Sequence, residues 1–198
     1  MKTIKITLLL LCLCGGFNRV SAQESDSKWS LSIGINSVDI NNTASDIGAM
    51  VEDYFKGSDF NTLPAISQVT VERDFGSGLS LELTGSINKI NDVPGADELG
   101  LSFFSLGTAA QYHLNALNFI SNEGWLDAYV KLGAGYTWIE GKGSFTVNPG
   151  FGFNTWFNDI VGLNISSTFH TAAGISDGFS KANGNQFFQH SLGLKFRL

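Results

Sequence analysis

Apolar and polar residues alternate along most of this chain, and the alternation persists to its last residue. In Phe187–Leu198, the side chains of Phe188, Leu192, Leu194, Phe196 and Leu198 take one face. Gln189, Ser191, Gly193, Lys195 and Arg197 take the other. A period of two belongs to a strand with one apolar and one polar face. Seven further segments carry the same pattern. They are 28–38, 65–75, 79–90, 103–114, 127–139, 144–157 and 161–170. Trp29, Leu31, Ile33 and Ile35 alternate with Ser30, Ser32, Gly34 and Asn36. Val130, Leu132, Ala134 and Tyr136 alternate with Tyr129, Lys131, Gly133 and Gly135. Each segment is near the ~9–11 residues that cross a bilayer at a tilt. Eight is the smallest common number for a closed membrane barrel.

The connections fall into two sets, with two exceptions: the loop Glu140-Gly141-Lys142-Gly143 is short for an outer loop, and 115–124 is long for an inner turn. Long polar segments follow the first, third and seventh strands, at 40–63, 91–102 and 171–184. Tight turns at Gly76-Ser77-Gly78 and Asn158-Asp159-Ile160 follow the second and sixth. Outer-membrane barrels have long external loops and short periplasmic turns. The expected fold class is therefore all-β, an eight-stranded antiparallel up-and-down transmembrane barrel. Its last strand, with Phe188, Leu192, Gly193, Leu194, Phe196 and Leu198, is expected to close against the first and to be read by the barrel-insertion machinery. A soluble, lipocalin-like barrel would invert the faces, and here the polar face is mostly Ser, Thr, Asn, Gln and Gly, a poor solvent surface.

Composition agrees with this reading. Charged residues make up 15% of the chain, against about 25% in a typical soluble domain. Residues 1–22 read as a signal peptide: Lys2 and Lys5, an apolar core from Leu8 to Cys14, and Val20-Ser21-Ala22 before Gln23. The barrel domain is then 23–198, in the outer membrane of a Gram-negative cell. Both cysteines, Cys12 and Cys14, leave with the leader. A lipid on Cys14 is the rival reading, and Leu13 before it fits that poorly. Removing Lys2, Lys5 and Arg19 takes the net charge from −6 to −9. That excess of acid excludes nucleic acid as a partner.

Candidate chemistry is sparse. The inward charges Glu72, Glu82, Lys131, Lys195 and Arg197 would be costly in a narrow lumen unless paired. They read as a structural salt-bridge plug. His113, His170 and His190 sit on different strands without metal-ligand spacing. His170 with Ser166 or Thr168 is the sole rim grouping that suggests a hydrolase, and no nucleophile motif supports it. No cofactor is expected. Acidic loop residues such as Asp39, Asp46, Glu52, Asp53 and Asp59 read as a solvated surface, with cation bridging to lipopolysaccharide a possible contact. Ile47–Val51 with Tyr54-Phe55 reads as a short rim helix. Pro149, inside the sixth strand, is expected at a bulge near the outer strand end.

The stretches Leu63–Ser67, Gly85–Ile90, Tyr129–Trp138, Phe151–Asn164 and Phe188–Leu194, in this order and spacing, resemble the N-terminal barrel of the outer-membrane protein A (OmpA) family. The resemblance implies an eight-stranded outer-membrane barrel. Many members continue into a peptidoglycan-binding domain; none is expected within this chain. The expected function is a structural barrel, serving envelope integrity or surface contacts without catalysis. A narrow porin-like channel is the alternative, and a lipid-acting enzyme a more distant one.

Overall fold

In the computed structural model, residues 29–40, 60–91, 100–117, 126–172 and 186–198 are described. The signal-peptide expectation and the Ile47–Val51 helix lie outside them. The strands are β1 (Trp29–Asp39), β2 (Phe60–Thr62), β3 (Gln68–Asp74), β4 (Leu79–Ile90), β5 (Leu101–His113), β6 (Leu126–Ile139), β7 (Lys142–Trp156), β8 (Val161–Ala172) and β9 (Gln186–Arg197). All pairings are antiparallel. β1 pairs with both β2 and β3, each strand from β3 onward meets the next, and β9 closes on β1 from Ser30↔Arg197 to Asp39↔Phe188. The Leu198 N–H extends this seam by donating to the Trp29 carbonyl at 2.8 Å. Closure removes the free edge of the wall; among the described strands, β2 alone pairs on one side only, with β1.

The wall has eight positions although nine strands are counted, because β2 and β3 share one. Expected as a single strand from residue 65, this position is interrupted. β1 pairs with β3 below Gly34 and with β2 above Ser37, and the register shifts by three residues between them. Pro64 lies in the intervening bend. The bend is held from the lumen by Asn36: its N–H donates to Ser67 Oγ at 2.8 Å and its Nδ2 to the Ser67 carbonyl at 2.9 Å.

Two turns show local sequence fixing backbone shape. Gly76, Ser77 and Gly78 all have positive φ, with Asp74 Oδ1 accepting the Gly76 N–H at 2.7 Å. Between β6 and β7 the chain reverses over two residues, Glu140 (φ 50°) and Gly141 (φ 74°). Both φ values are positive, as a type I′ hairpin turn requires. Lys142 and Gly143, expected in the loop, already belong to β7.

Pro149 is not at an outer bulge. It lies mid-strand, paired with Leu132 and facing outward. On the β8 side the ladder skips Asn148 and Pro149, but the register is the same before and after, from Val147↔Thr171 to Gly150↔Thr168. The missing N–H therefore costs one rung and inserts no extra residue.

Candidate functional site: the barrel lumen

The lumen is layered along the barrel axis. At the end carrying the described chain ends, its residues are ionic. Register explains the arrangement. Glu72 on β3 stands opposite Glu82 on β4, and like charges directly across a ladder repel. Each carboxylate is neutralised from elsewhere on the wall. Lys195 of β9 reaches Glu72 Oε2 at 2.8 Å, and Lys131 of β6 reaches Glu82 Oε1 at 2.9 Å. All four side chains are buried, so each pair must be made well for its charges to be tolerated.

A hydrogen-bonded chain joins the two pairs. Lys195 Nζ lies 3.4 Å from Asn154 Oδ1, and Asn154 Nδ2 donates to Asp127 Oδ2 at 2.9 Å. Asp127 Oδ2 sits 2.8 Å from His113 Nδ1, and His113 Nε2 is 3.0 Å from Ser80 Oγ. Ser80 Oγ is 3.4 Å from Gln111 Oε1, while Gln111 Nε2 donates to Glu82 Oε2. Asn164 Nδ2 branches from this chain, donating to Asn154 Oδ1 and to the Tyr129 hydroxyl at 2.8 Å each. Below the chain a vestibule of about 380 Å³ opens toward the terminal end, lined by Trp29, Asp74, Asn115 and Trp156 among others.

Of the five inward charges read from the sequence, four form these two pairs. Arg197 stands apart at the vestibule mouth. Its guanidinium lies 3.6 Å from the Trp156 ring centroid and its NH1 donates to the Asp159 carbonyl. It makes no ion pair among the described residues. The strand that carries it ends within one residue, so its long side chain reaches the rim instead of the interior.

Ser80, His113 and Asp127 have the distances and ring atoms of a hydrolase triad, which the sequence reading did not assemble. Alternation places all three inward, but only the β4–β5 and β5–β6 registers bring them together. Ser80 is 1% exposed and is absent from the vestibule lining. A nucleophile must meet its substrate; His113 and Asp127 line the vestibule, and Ser80 does not. The expected grouping around His170 does not form. No hydrogen bond links His170 to Ser166 or Thr168 among the described residues. His170 instead stacks on the Phe187 ring with centroids 4.6 Å apart. No described group of three or more His, Cys, Asp or Glu residues could hold a metal ion.

The middle layer is neutral. Thr70 and Thr84 share a hydrogen bond of 2.8 Å, and Gln189 Nε2 donates to Ser86 Oγ at 2.8 Å. Ser191 Oγ donates to Gln68 Oε1 at 2.8 Å, and Asn88 Nδ2 to Asn36 Oδ1 at 3.0 Å. A cavity of about 30 Å³ lies in this layer, bordered by Lys131, Asn148 and His170 among others, large enough to hold water.

At the long-loop end the lumen becomes apolar. Val38, Ile40, Ile90, Phe103, Ile139 and Phe187 pack into one cluster, each at most 4% exposed. Phe103 and Phe187 meet edge to face at 5.7 Å. This plug departs from the polar inward face expected along every strand.

The comparisons bear on the fold. Neisserial surface protein A aligns at TM-score 0.54 and 12% identity, over 88% of this chain and 98% of that one. Ail, the attachment invasion locus protein of Yersinia pestis, solved with the heparin analogue sucrose octasulfate, gives 0.51 and 12%, over 88% and 100%. The N-terminal barrel of Pseudomonas aeruginosa OprF gives 0.51 and 12%, over 87% and 100%. The fold is that of the eight-stranded outer-membrane barrels. An OmpA-type N-terminal barrel fits it. No family model and no curated protein matches the chain.

Proposed function

We propose that the protein is a structural outer-membrane barrel with a closed lumen and no catalytic activity, serving envelope integrity or surface contacts. The observation that supports this most is the layering of the lumen. A water-filled path would need polar groups and space along its whole length. Here an ion-paired layer, a hydrogen-bonded layer and an apolar plug follow one another, with a cavity of about 30 Å³ among them. An interior of eight strands is just wide enough for side chains to fill.

The outer wall suits a bilayer. Leu81, Leu83, Leu106, Leu132, Phe151 and Ile165 are each between 45% and 63% exposed, and all face away from the lumen. Tyr136 and Trp138 stand together near one strand end, their rings 4.7 Å apart, as interfacial aromatics do. The long connections would then face outward and carry any contacts with lipopolysaccharide or other surface partners. The β9 face of Phe188, Leu192, Leu194 and Phe196 would be presented to the insertion machinery.

Two measurements test the reading. Fractionation should recover the protein with outer membranes. In planar bilayers the folded barrel should give no steps above the lipid baseline. A steady unitary conductance would replace the structural reading with the channel.

A further inference from the structure

One cation stands on the outer wall close to its terminal edge. Arg73 is the last residue but one of β3. Alternation turns Glu72 and Asp74 inward and Val69, Val71 and Arg73 outward. In register, Arg73 meets Trp29 of β1 and Leu81 of β4. Its guanidinium carbon lies 5.3 Å from the Trp29 ring centroid and 5.2 Å from that of Phe75. At these distances the faces of both rings attract the cation and fix its place.

Arg73 makes no ion pair and no side-chain hydrogen bond among the described residues. Its Nε is buried without a partner, and it is the sole nitrogen of the group so enclosed. The NH1–NH2 edge therefore reaches the surface with its donors unspent. The adjacent carboxylate is engaged elsewhere: Asp74 accepts the Gly76 N–H at 2.7 Å and lines the vestibule, on the other side of the wall. No Asp or Glu side chain takes an outward strand position at this end among the described residues. An arginine facing lipid is costly at the midplane and tolerated at the interface, where its stem lies on apolar surface and its head reaches the headgroups. Trp29 and Phe75, as rim aromatics, put Arg73 at that depth.

We propose that Arg73 holds the phosphodiester of one anionic glycerophospholipid, in the leaflet at the terminal end of the barrel. The parallel N–H groups of a guanidinium match two phosphate oxygens. The acyl chains lie along Val69, Leu81 and Leu83, which are 44% to 50% exposed and run from Arg73 toward the middle of the wall. Charge selects the lipid class. The site offers one positive charge and no outward carboxylate, so the ammonium of a zwitterionic headgroup finds no partner there, and a headgroup of net negative charge is favoured. The proposal rests on the barrel being embedded in a bilayer.

For the test, the protein is refolded into phosphatidylcholine vesicles that contain either phosphatidylglycerol or the same proportion of phosphatidylethanolamine. Native mass spectrometry after detergent extraction counts retained lipid. One phosphatidylglycerol per barrel is expected, held about tenfold better than phosphatidylethanolamine, the equivalent of one good charge-assisted contact. Arg73→Gln should remove this preference while the heat-modifiable gel shift is unchanged. Arg73→Lys should keep part of it, because a point charge replaces the fork. Arg197→Gln controls for charge alone: that side chain lies on the Trp156 ring at the vestibule mouth, and its loss should leave retention as it is. No preference in the wild type, an unchanged preference in Arg73→Gln, or an equal loss in Arg197→Gln overturns the site. If Arg73→Gln does not fold, the wild-type comparison of the two lipids and Arg73→Lys decide. Failure of the wild type to insert into any vesicle defeats the embedded barrel itself, whereas insertion without retained lipid defeats only the Arg73 site.

Discussion

The two ends of the lumen solve one packing problem with opposite chemistry. At the terminal end the interior is filled by Glu72–Lys195, Glu82–Lys131 and the amides, hydroxyl and imidazole that join them. At the long-loop end it is filled by Val38, Ile40, Ile90, Phe103, Ile139 and Phe187. The apolar end is stabilised by burial and tolerates small shifts in geometry. The ionic end is stable only while every charge keeps its partner. A slip of one strand separates a lysine from its carboxylate at one end; at the other it exchanges an apolar side chain for the polar inward residue two positions away, such as Asn88 for Ile90 or Gln189 for Phe187.

The largest effect should therefore come from breaking a pair. Lys195→Met leaves Glu72 buried without its cation, and is expected to destabilise the barrel by about 3–5 kcal/mol. Urea unfolding in lipid vesicles measures this. Adding Glu72→Gln should restore most of the loss, since the double variant buries no unpaired charge. If the single and double variants are equally unstable, the Lys195 stem and its packing matter more than the charge. The contrast between the two ends would then fail.

At the other end, Phe187→Ala should cost about 3 kcal/mol, the lower part of the range for a buried phenylalanine. Neighbouring side chains of the cluster can partly fill the space. This loss should be the same at 0.05 and 0.5 M salt, because no charge is involved. A loss as salt-sensitive as that of an exposed ion pair would mean that the plug is not the packed unit described.

The outline of this fold was legible because alternation is local. β4 runs from Leu79 to Ile90, the residues the pattern marks, and the inward face of β6 is the one read from Tyr129, Lys131 and Gly133. Register was not legible, because it depends on strands distant in sequence. Glu72 with Lys195 and His113 with Asp127 follow from it. The split of β2 from β3 was hidden for a related reason: the alternation resumes after Pro64, so the bend leaves little trace. Ile90, Phe103, Ile139 and Phe187 have inward parity, yet an apolar residue at a strand end reads equally well as part of an interfacial girdle. The outward row Thr62, Ser37, His190 and Ser167 needs three registers at once, and no single strand displays it.

Pro149 stands between the two ends, where the β7–β8 ladder skips a rung. The register is intact on both sides of the gap, and the ring faces outward. Pro149→Val should restore a donor and β propensity without moving the wall. A gain of up to about 1 kcal/mol in the same urea assay is expected, the span of that propensity scale. A clear loss would show that the gap relieves strain where the ionic and apolar halves meet.

The smallest effect belongs to Glu140, at the tip of the long-loop end. Its carboxylate accepts the Ser102 N–H at 2.6 Å and the Ser102 hydroxyl at 3.1 Å, and its own N–H donates to the Ser102 carbonyl at 3.0 Å. These bonds tie the start of β5 to the β6–β7 turn. The two bonds accepted from Ser102 hold the carboxyl below its ordinary pKa. A carboxylate whose folded pKa is depressed stabilises the fold above its unfolded pKa, about 4.3. That contribution is lost as pH falls through the lower, folded value. Glu140→Gln should therefore leave little change near pH 3 and a slight loss near pH 7, with the difference developing between pH 5 and 3. The side chain is fully exposed, so solvent screening keeps the difference small. The reading is best taken from hydrogen exchange at the Ser102 amide, which should quicken in the variant at pH 7 while amides in β3 and β9 near Glu72 and Lys195 keep their rates. Equal quickening at both places would mean that the rim and the ionic core open together, and that the two ends of the lumen are one cooperative unit.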